Sequence, residues 1–254
     1  MKPKGNSNYQ QINPTKALKD FVDSYWISTN LSNKPLKRTI FPDGFFKLVV
    51  TLVNDKISIV FLTGLWIKES EIIIPAQATV YGIKFKILAP EYIFQTEIAS
   101  LIDSQKMLTP SFWGIKDMQI ESLKNYVAQI EPVMLKKIDQ SKEVQSKKLN
   151  LSQLLYSSEG NILVKEISEK TNWNSRSINR YFTKHLGIPL KSYLNIQKIY
   201  TAYVPIINKE FFPEKGFHDQ SHFIREIKKH TNKTPKELEK KKHDRFIQLK
   251  NIQK

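Results

Sequence analysis

The sequence of 254 residues contains no cysteine. That removes disulfides, thiolate nucleophiles and thiolate metal sites together. It contains no histidine before His185, so no histidine site can be confined to the N-terminal half. Glycine is scarce, at 8 residues, and nowhere clusters into a loop able to cradle phosphates. No run approaches the roughly 18 apolar residues that read as a membrane span. Met1 to Gln11 is polar and lacks the apolar segment of a secretory signal, which makes a cytoplasmic location the expectation. No catalytic dyad is apparent, so neither enzyme activity nor a cofactor is expected.

What the chain does have is positive charge, unevenly placed. Lys and Arg number 40 against 24 Asp and Glu, a net of +16. Residues 1–140 hold 17 against 13, and residues 141–254 hold 23 against 11. The excess therefore sits in the C-terminal part and points to a polyanion, with nucleic acid first and an anionic membrane surface second.

Hydrophobic periodicity divides the chain similarly. Residues 1–14 read as a flexible polar arm, followed by a short helix at Lys16–Phe21. Lys47–Val53, Ile57–Phe61, Glu71–Ile74 and Thr79–Phe85 are β-branched apolar runs. Pro42-Asp43-Gly44, Asn54-Asp55, Gly64 and Pro75 separate them, which predicts short antiparallel strands. A helical period begins near Asp117, a suitable N-cap, with Ile120, Leu123, Tyr126, Val127 and Ile130 on one face. Lys136–Lys148 reads as a charged linker. The expected class is α+β: an antiparallel β-rich sandwich or small barrel with flanking helices, then an all-α unit. The expected boundaries are an arm at 1–14, a β-rich domain at 15–115, to which the resemblance given below adds a sensor or dimerisation role, and a helical connector at 116–144. A helical domain at 145–240, the DNA-binding one by the same resemblance, and a basic tail at 241–254 follow.

Val164–Leu186 carries the pattern of a helix, a turn and a second helix. A first helix burying Ile167 is interrupted at Thr171–Asn174, where Asn172 suits a left-handed turn and Asn174 or Ser175 an N-cap. The next helix buries Ile178 and Phe182 and presents Arg176, Asn179, Arg180, Thr183 and Lys184, long donors suited to a DNA groove. A shift of 45 positions superposes this segment on a second one. Ile178 falls on Phe223, Arg180 on Arg225, Phe182 on Ile227, Lys184 on Lys229, His185 on His230 and Gly187 on Asn232.

Gly216-Phe217-His218-Asp219-Gln220-Ser221-His222-Phe223, with Arg225 and Thr234-Pro235, resembles the signature of the AraC/XylS family of bacterial transcription regulators. Ile167, Arg180, Phe182, Lys184 and Gly187 resemble that family's other helix-turn-helix, and Tyr193, Leu194 and Ala202 its connecting helix. The resemblance covers about 100 residues. It implies a tandem helix-turn-helix unit entering two successive major grooves of double-stranded DNA. Base-facing positions would be Arg176, Asn179 and Arg180, with Asn174 at the start of that helix, and then Gln220, Ser221, His222 and Arg225. Lys184, Lys228 and Lys229 would meet phosphates. RNA polymerase and a second copy of the chain are further partners in keeping with it. The chain departs from the family's pattern between Ala202 and Gly216, where Pro213 opposes a helix, so the second unit is expected to lack its usual support helix.

The N-terminal half resembles the sensor domain of some such regulators through Tyr25-Trp26, Phe41-Pro42-Asp43-Gly44 and Tyr81-Gly82-Ile83-Lys84-Phe85. That implies an effector site or a dimer contact, whereas the residues alone require only a turn and an aromatic core. Two further readings are weaker. His218 and His222 have the i,i+4 spacing of zinc peptidases, but their surroundings fit a helix start better, with Asp219 as its cap, so no metal is expected. A non-specific architectural DNA-binding protein is the alternative to a sequence-specific regulator.

Overall fold

The computed structural model describes residues 7–212 and 216–240. The expected basic tail, positions 1–6 of the expected arm, and Pro213 lie outside them. An antiparallel β-rich half precedes an all-helical one, the α+β arrangement expected. The strands are β1 (Ser7–Ile12), β2 (Val22–Asn30), β3 (Leu36–Ile40), β4 (Phe46–Val53), β5 (Lys56–Thr63), β6 (Ser70–Ile74), β7 (Ala78–Phe85) and β8 (Gln105–Leu108). The helices are α1 (Leu123–Asp139), α2 (Ser146–Ser158), α3 (Val164–Thr171), α4 (Ser175–Leu186), α5 (Leu190–Ile207), α6 (Gln220–Thr231) and α7 (Pro235–Lys240).

Six strands form one antiparallel sheet in the order β1-β2-β7-β4-β5-β8, and β3 pairs with β6 in a second. Side chains alternate across the pleat. Tyr25, Leu48, Val50, Val60, Leu62, Ile83 and Phe85 point to a core shared with Tyr126, Ile130 and Met134 of α1. On the opposite face Trp26 and Val49 share an apolar cluster with Ile74 of β6. Both faces are covered, which is why β4 is apolar at successive positions and interrupted only by Lys47 and Thr51.

Several expectations need correction. Ser7–Ile12 is a strand, not a flexible arm, because β2 offers it a full antiparallel register from Ile12–Tyr25 to Ser7–Asn30. Lys16–Phe21 forms successive turns rather than a helix, with the Leu18 and Phe21 N–H groups bonded three residues back at 3.0 and 2.9 Å. The stretch between two paired strands is too short to repay helix nucleation. Asp117 closes a 3-10 turn, Phe112–Asp117. The cap of α1 is Ser122, whose Oγ accepts the Asn125 N–H at 3.1 Å. The supposed linker is mostly helical, since α1 runs to Asp139 and α2 starts at Ser146.

The two halves share their interior. One apolar cluster runs from Leu18 in the β-rich half through α1 to α4 and ends at Ile196 of α5. Buried Glu131 of α1 accepts the Thr15 N–H at 3.0 Å and the Tyr25 hydroxyl at 2.9 Å. A relay runs from the Ile87 N–H to the Tyr156 hydroxyl, on to that of Tyr193 and then to the Gly44 carbonyl, at 3.0, 2.9 and 3.1 Å. The Tyr203 hydroxyl donates to the Pro42 carbonyl at 3.3 Å. Phe41, fully buried, belongs to a cluster otherwise made of helical residues: Ile199, Ala202, Tyr203, Ile206, Ile207, Phe223, Ile227 and Leu238. Its ring lies 5.6 Å from that of Tyr203. On α6, His230 Nδ1 donates to the Ile67 carbonyl at 2.7 Å, the role its neutral tautomer allows. Lys233 pairs with Glu69.

Phe41→Ala leaves a cavity in the cluster that holds α6 and should cost about 3–5 kcal/mol in urea unfolding. Hydrogen exchange should accelerate more in α6 than in α4, and equal acceleration in both would show that Phe41 does not hold the second unit specifically. Burial pushes His230 below its ordinary value, against smaller raising effects of the Ile67 hydrogen bond, Glu226 and Asp103, with Lys229 lowering it further. Burial lowers His185 too. A histidine whose folded pKa is depressed takes up protons more readily when unfolded, so stability falls as the pH drops through about 6.5. The urea midpoint should decrease between about pH 7.5 and about pH 5.5, and His230→Gln should flatten that decrease.

Candidate nucleic-acid interface

The turn between α3 and α4 is built from local rules. α3 ends at Asn172, in the left-handed region at φ 48°. Asn174 caps α4 by accepting the Ser177 N–H at 2.8 Å. Ile178, Phe182 and Leu186 of α4 are buried, and Tyr181 nearly so. α4 ends at Gly187, at φ 82°, whose N–H returns to the Thr183 carbonyl. The half-buried Trp173 packs 5.5 Å from the Tyr181 ring.

α6 repeats this construction 45 positions on, as the sequence repeat anticipates. Asp219 caps it, accepting the His222 N–H at 2.7 Å. Phe223 and Ile227 are its buried anchors. It ends at Asn232, φ 52°, whose N–H returns to the Lys228 carbonyl. Thr171 and Thr231 each close a side-chain bond four residues back, to the Ile167 and Ile227 carbonyls, both at 2.7 Å.

The two units differ in what supports them. α4 leans on α3 in the usual way. No helix lies between Ile207 and Gln220 among the described residues. Phe41 from the β-rich half and the Ile67 carbonyl touch α6 and its cluster instead.

The expected contact residues fall into two groups. Arg176, Arg180 and Arg225 are exposed, as are Gln220, Ser221, Lys228 and Lys229. The others are already engaged within the chain. Asn174 serves as the cap. Asn179 Oδ1 accepts the Leu190 N–H at 3.1 Å and so holds the start of α5. Lys184 lies 3.7 Å from Glu97 of the β-rich half. His222 is half-buried, its Nδ1 accepting the His218 N–H at 3.3 Å and its ring 5.8 Å from that of Phe217. The three arginines, Gln220, Ser221, Lys228 and Lys229 take part in none of these four contacts. No cluster of three or more His, Asp or Glu suited to a metal occurs among the described residues, and no described helix is long and apolar enough to cross a membrane.

A cavity of about 710 Å³ lies between the six-stranded sheet and the β3–β6 pair. No local sequence signal announces it, because its floor is assembled by register. Trp26, Gly82, Val49, Phe61 and Met107 face one another across five strands. Lys84 pairs in register with Lys47 on the neighbouring strand. Gly82 is required here, since a Cβ on it would lie 2.0 Å from the Trp26 ring. Burial pushes the Lys47 ammonium below its ordinary value, opposed by Asp43, with which it pairs at 2.9 Å. The carboxylates in this region are held separately: Asp43 Oδ1 also accepts the Phe45 N–H at 3.2 Å, and Asp103 Oδ1 the Ile67 N–H at 2.8 Å.

A family model described as a domain of unknown function (DUF6597) matches residues 10–106. No curated protein matches the chain. Among solved structures, ToxT from Vibrio cholerae aligns over 91% of this chain and 96% of its own, at 14% identity and a TM-score of 0.41. ToxT from Vibrio cholerae O395 bound to (E)-4-(8-methylnaphthalen-1-yl)but-3-enoic acid aligns over the same shares, at 15% identity and a TM-score of 0.42. Wild-type ToxT from Vibrio cholerae strain SCE256, bound to an unsaturated fatty acid, aligns over 91% of this chain and 93% of its own, at 14% identity and a TM-score of 0.37. A likeness at this level carries no functional assignment.

Proposed function

We propose that the protein is a sequence-specific DNA-binding transcriptional regulator that reads two successive major grooves through α4 and α6. The observation that carries this reading is the repeated construction of the two helices. Each has an Asn or Asp cap, two apolar anchors four residues apart, a left-handed stop, and an exposed arginine at the same position, Arg180 or Arg225. A solvated charged face would account for the arginines alone but not for their recurrence on two helices of one design. Arginine can bind guanine through two parallel hydrogen bonds, and Lys228 and Lys229 at the end of α6 suit phosphates. The charge excess beyond residue 140 supplies the long-range attraction.

A ligand in the β-rich half would gate this binding. Asp43 lines the cavity, Gly44 accepts from Tyr193, and Phe41 is buried in the cluster that holds α6. A shift of this one turn would reach both the connecting helix and the second reading helix.

Selection from a random DNA pool should enrich a motif with two half-sites about 34 Å apart along the duplex. Absence of any enriched motif would leave the non-specific architectural binder as the better reading. On the selected site, Arg180→Ala should cost about 1–3 kcal/mol and relax one base position. Uniform weakening on every sequence would remove Arg180 from base readout. Replacing Lys228 and Lys229 together by Ala should weaken binding evenly across sequences and lower the slope of log affinity against log salt by about 2.

A further inference from the structure

The C-terminal ends of α4 and α6 rest on two neighbouring segments of the β-rich half. At α4, the Ile98 N–H donates to the His185 carbonyl at 3.0 Å. Gly187, the stop of α4, packs against the 3-10 turn Ala99–Leu101, and a Cβ there would come within 2.7 Å of the Ala99 carbonyl oxygen. The exposed pair of Lys184 and Glu97 adds little to this contact. At α6, His230 bonds to the Ile67 carbonyl. Glu69 takes both Lys233 and the Asn232 Nδ2, the latter at 3.3 Å. The Lys233 ammonium also lies 5.8 Å from the Phe41 ring centre. His185 and His230 are equivalent under the shift of 45, as are Gly187 and Asn232. Each unit is thus held at the same place in its own design.

The two receiving segments are bonded to each other. The Gly64 N–H donates to the Ser104 carbonyl and the Asp103 N–H to the Leu65 carbonyl, both at 3.0 Å. Asp103 Oδ1 accepts the Ile67 N–H at 2.8 Å. Gly64 is buried, and a Cβ on it would run into the Leu101 carbonyl oxygen. Residues 64–69 and 97–104 therefore form one close-packed bar, with α4 at one end and α6 at the other.

Along the chain the two helices are linked by α5. It carries Pro205, which removes a bond from its ladder. Among the described residues no helix lies between Ile207 and Gln220. α5 alone leaves the orientation of α6 open, and the bar closes it. The docked ends are the C-terminal ones. The caps Asn174 and Asp219 and the exposed Arg176, Arg180 and Arg225 belong to the opposite halves of the helices, the halves by which such helices meet base edges.

We infer that this bar sets the separation and angle of α4 and α6, and through them the spacing of the two half-sites that the chain accepts. Gly64, Glu69 and Asp103 act as positioning residues, not as contacts to DNA. The consequence for half-sites rests on the DNA-reading proposal above, whereas the bar itself is testable without DNA.

Because the chain has no cysteine, spin labels can be confined to Thr183→Cys on α4 and Lys228→Cys on α6. Their separation in the full chain without DNA should show one narrow distribution. Glu69→Lys, which repels Lys233, should broaden it, and so should Gly64→Ala in the middle of the bar. Glu69→Lys combined with Lys233→Glu should narrow it again. On DNA, the selected half-sites are moved one or two base pairs closer or further apart. Wild-type affinity should fall about tenfold at one base pair, comparable to one lost base contact. Glu69→Lys should flatten that preference, and the charge swap should restore it. Circular dichroism on each variant separates loosening of the bar from misfolding. A broad distribution in the wild-type chain, or a narrow one kept by folded Glu69→Lys and Gly64→Ala, would overturn the bar. Wild-type affinity indifferent to spacing, or a spacing preference unchanged in a variant whose distribution has broadened, would overturn its control of half-site spacing. A narrow wild-type distribution with no enriched DNA motif would sink the DNA-reading proposal and leave the bar standing.

Discussion

Burial of the Phe41 ring among residues of α5, α6 and α7 is the contact on which the arrangement of the C-terminal helices depends. A helix as short as α6, with two main apolar anchors, does not hold itself in water. It needs a surface for Phe223 and Ile227, and the chain has no helix before it to supply one among the described residues. The surface comes instead from the Phe41–Gly44 turn together with α5. The same turn places Asp43 beside Lys47 in the cavity and gives the Pro42 and Gly44 carbonyls to Tyr203 and Tyr193 of α5. Four consecutive residues thus face three structures at once.

Helices α4 and α6 show how one local design can rest on different foundations. Caps, anchors and stops recur at a constant shift because each is set by a few neighbouring residues. Support is a tertiary matter, and it differs. α4 has α3 and a continuous core behind it, while α6 borrows from the β-rich half. Both helices also touch that half at their C-terminal ends, α4 through Lys184 and Glu97, α6 through His230 and Ile67.

What could be read from the sequence follows the same division. The strands at Lys47–Val53 and Thr79–Phe85 were legible because both of their faces are covered, so apolar residues stand at successive positions, Leu48 beside Val49 and Val80 beside Tyr81. The caps at Asn174 and Asp219 and the stops at Asn172, Gly187 and Asn232 were legible because their chemistry is local. β1 was not: Ser-Asn-Tyr-Gln-Gln-Ile is polar, and only pairing with β2 makes it a strand. The cap of α1 was misplaced by five residues, at Asp117 instead of Ser122, because an acidic residue before an apolar period resembles a cap whether or not a 3-10 turn intervenes. Among the site residues, exposure was legible, but the engagement of Asn179 with the start of α5 and of His222 with its own turn was not, since both depend on where the chain goes next. The cavity was least legible of all, because the adjacency of Lys47 and Lys84 follows from strand register alone.

The shared interior bears on how the chain reaches this structure. The contacts that complete it join residues far apart in sequence, such as Phe41 with Tyr203, or Thr15 with Glu131. Long loops must close before such contacts repay their entropy. During synthesis the β-rich half emerges first, with the sheet face that α1 will cover and the Phe41 ring still in water. The sheet face is covered once α1 emerges, but the Phe41 ring stays open until α5, α6 and α7 leave the ribosome. The interval between the emergence of the β-rich half and that point is therefore the period in which this chain is most exposed to aggregation.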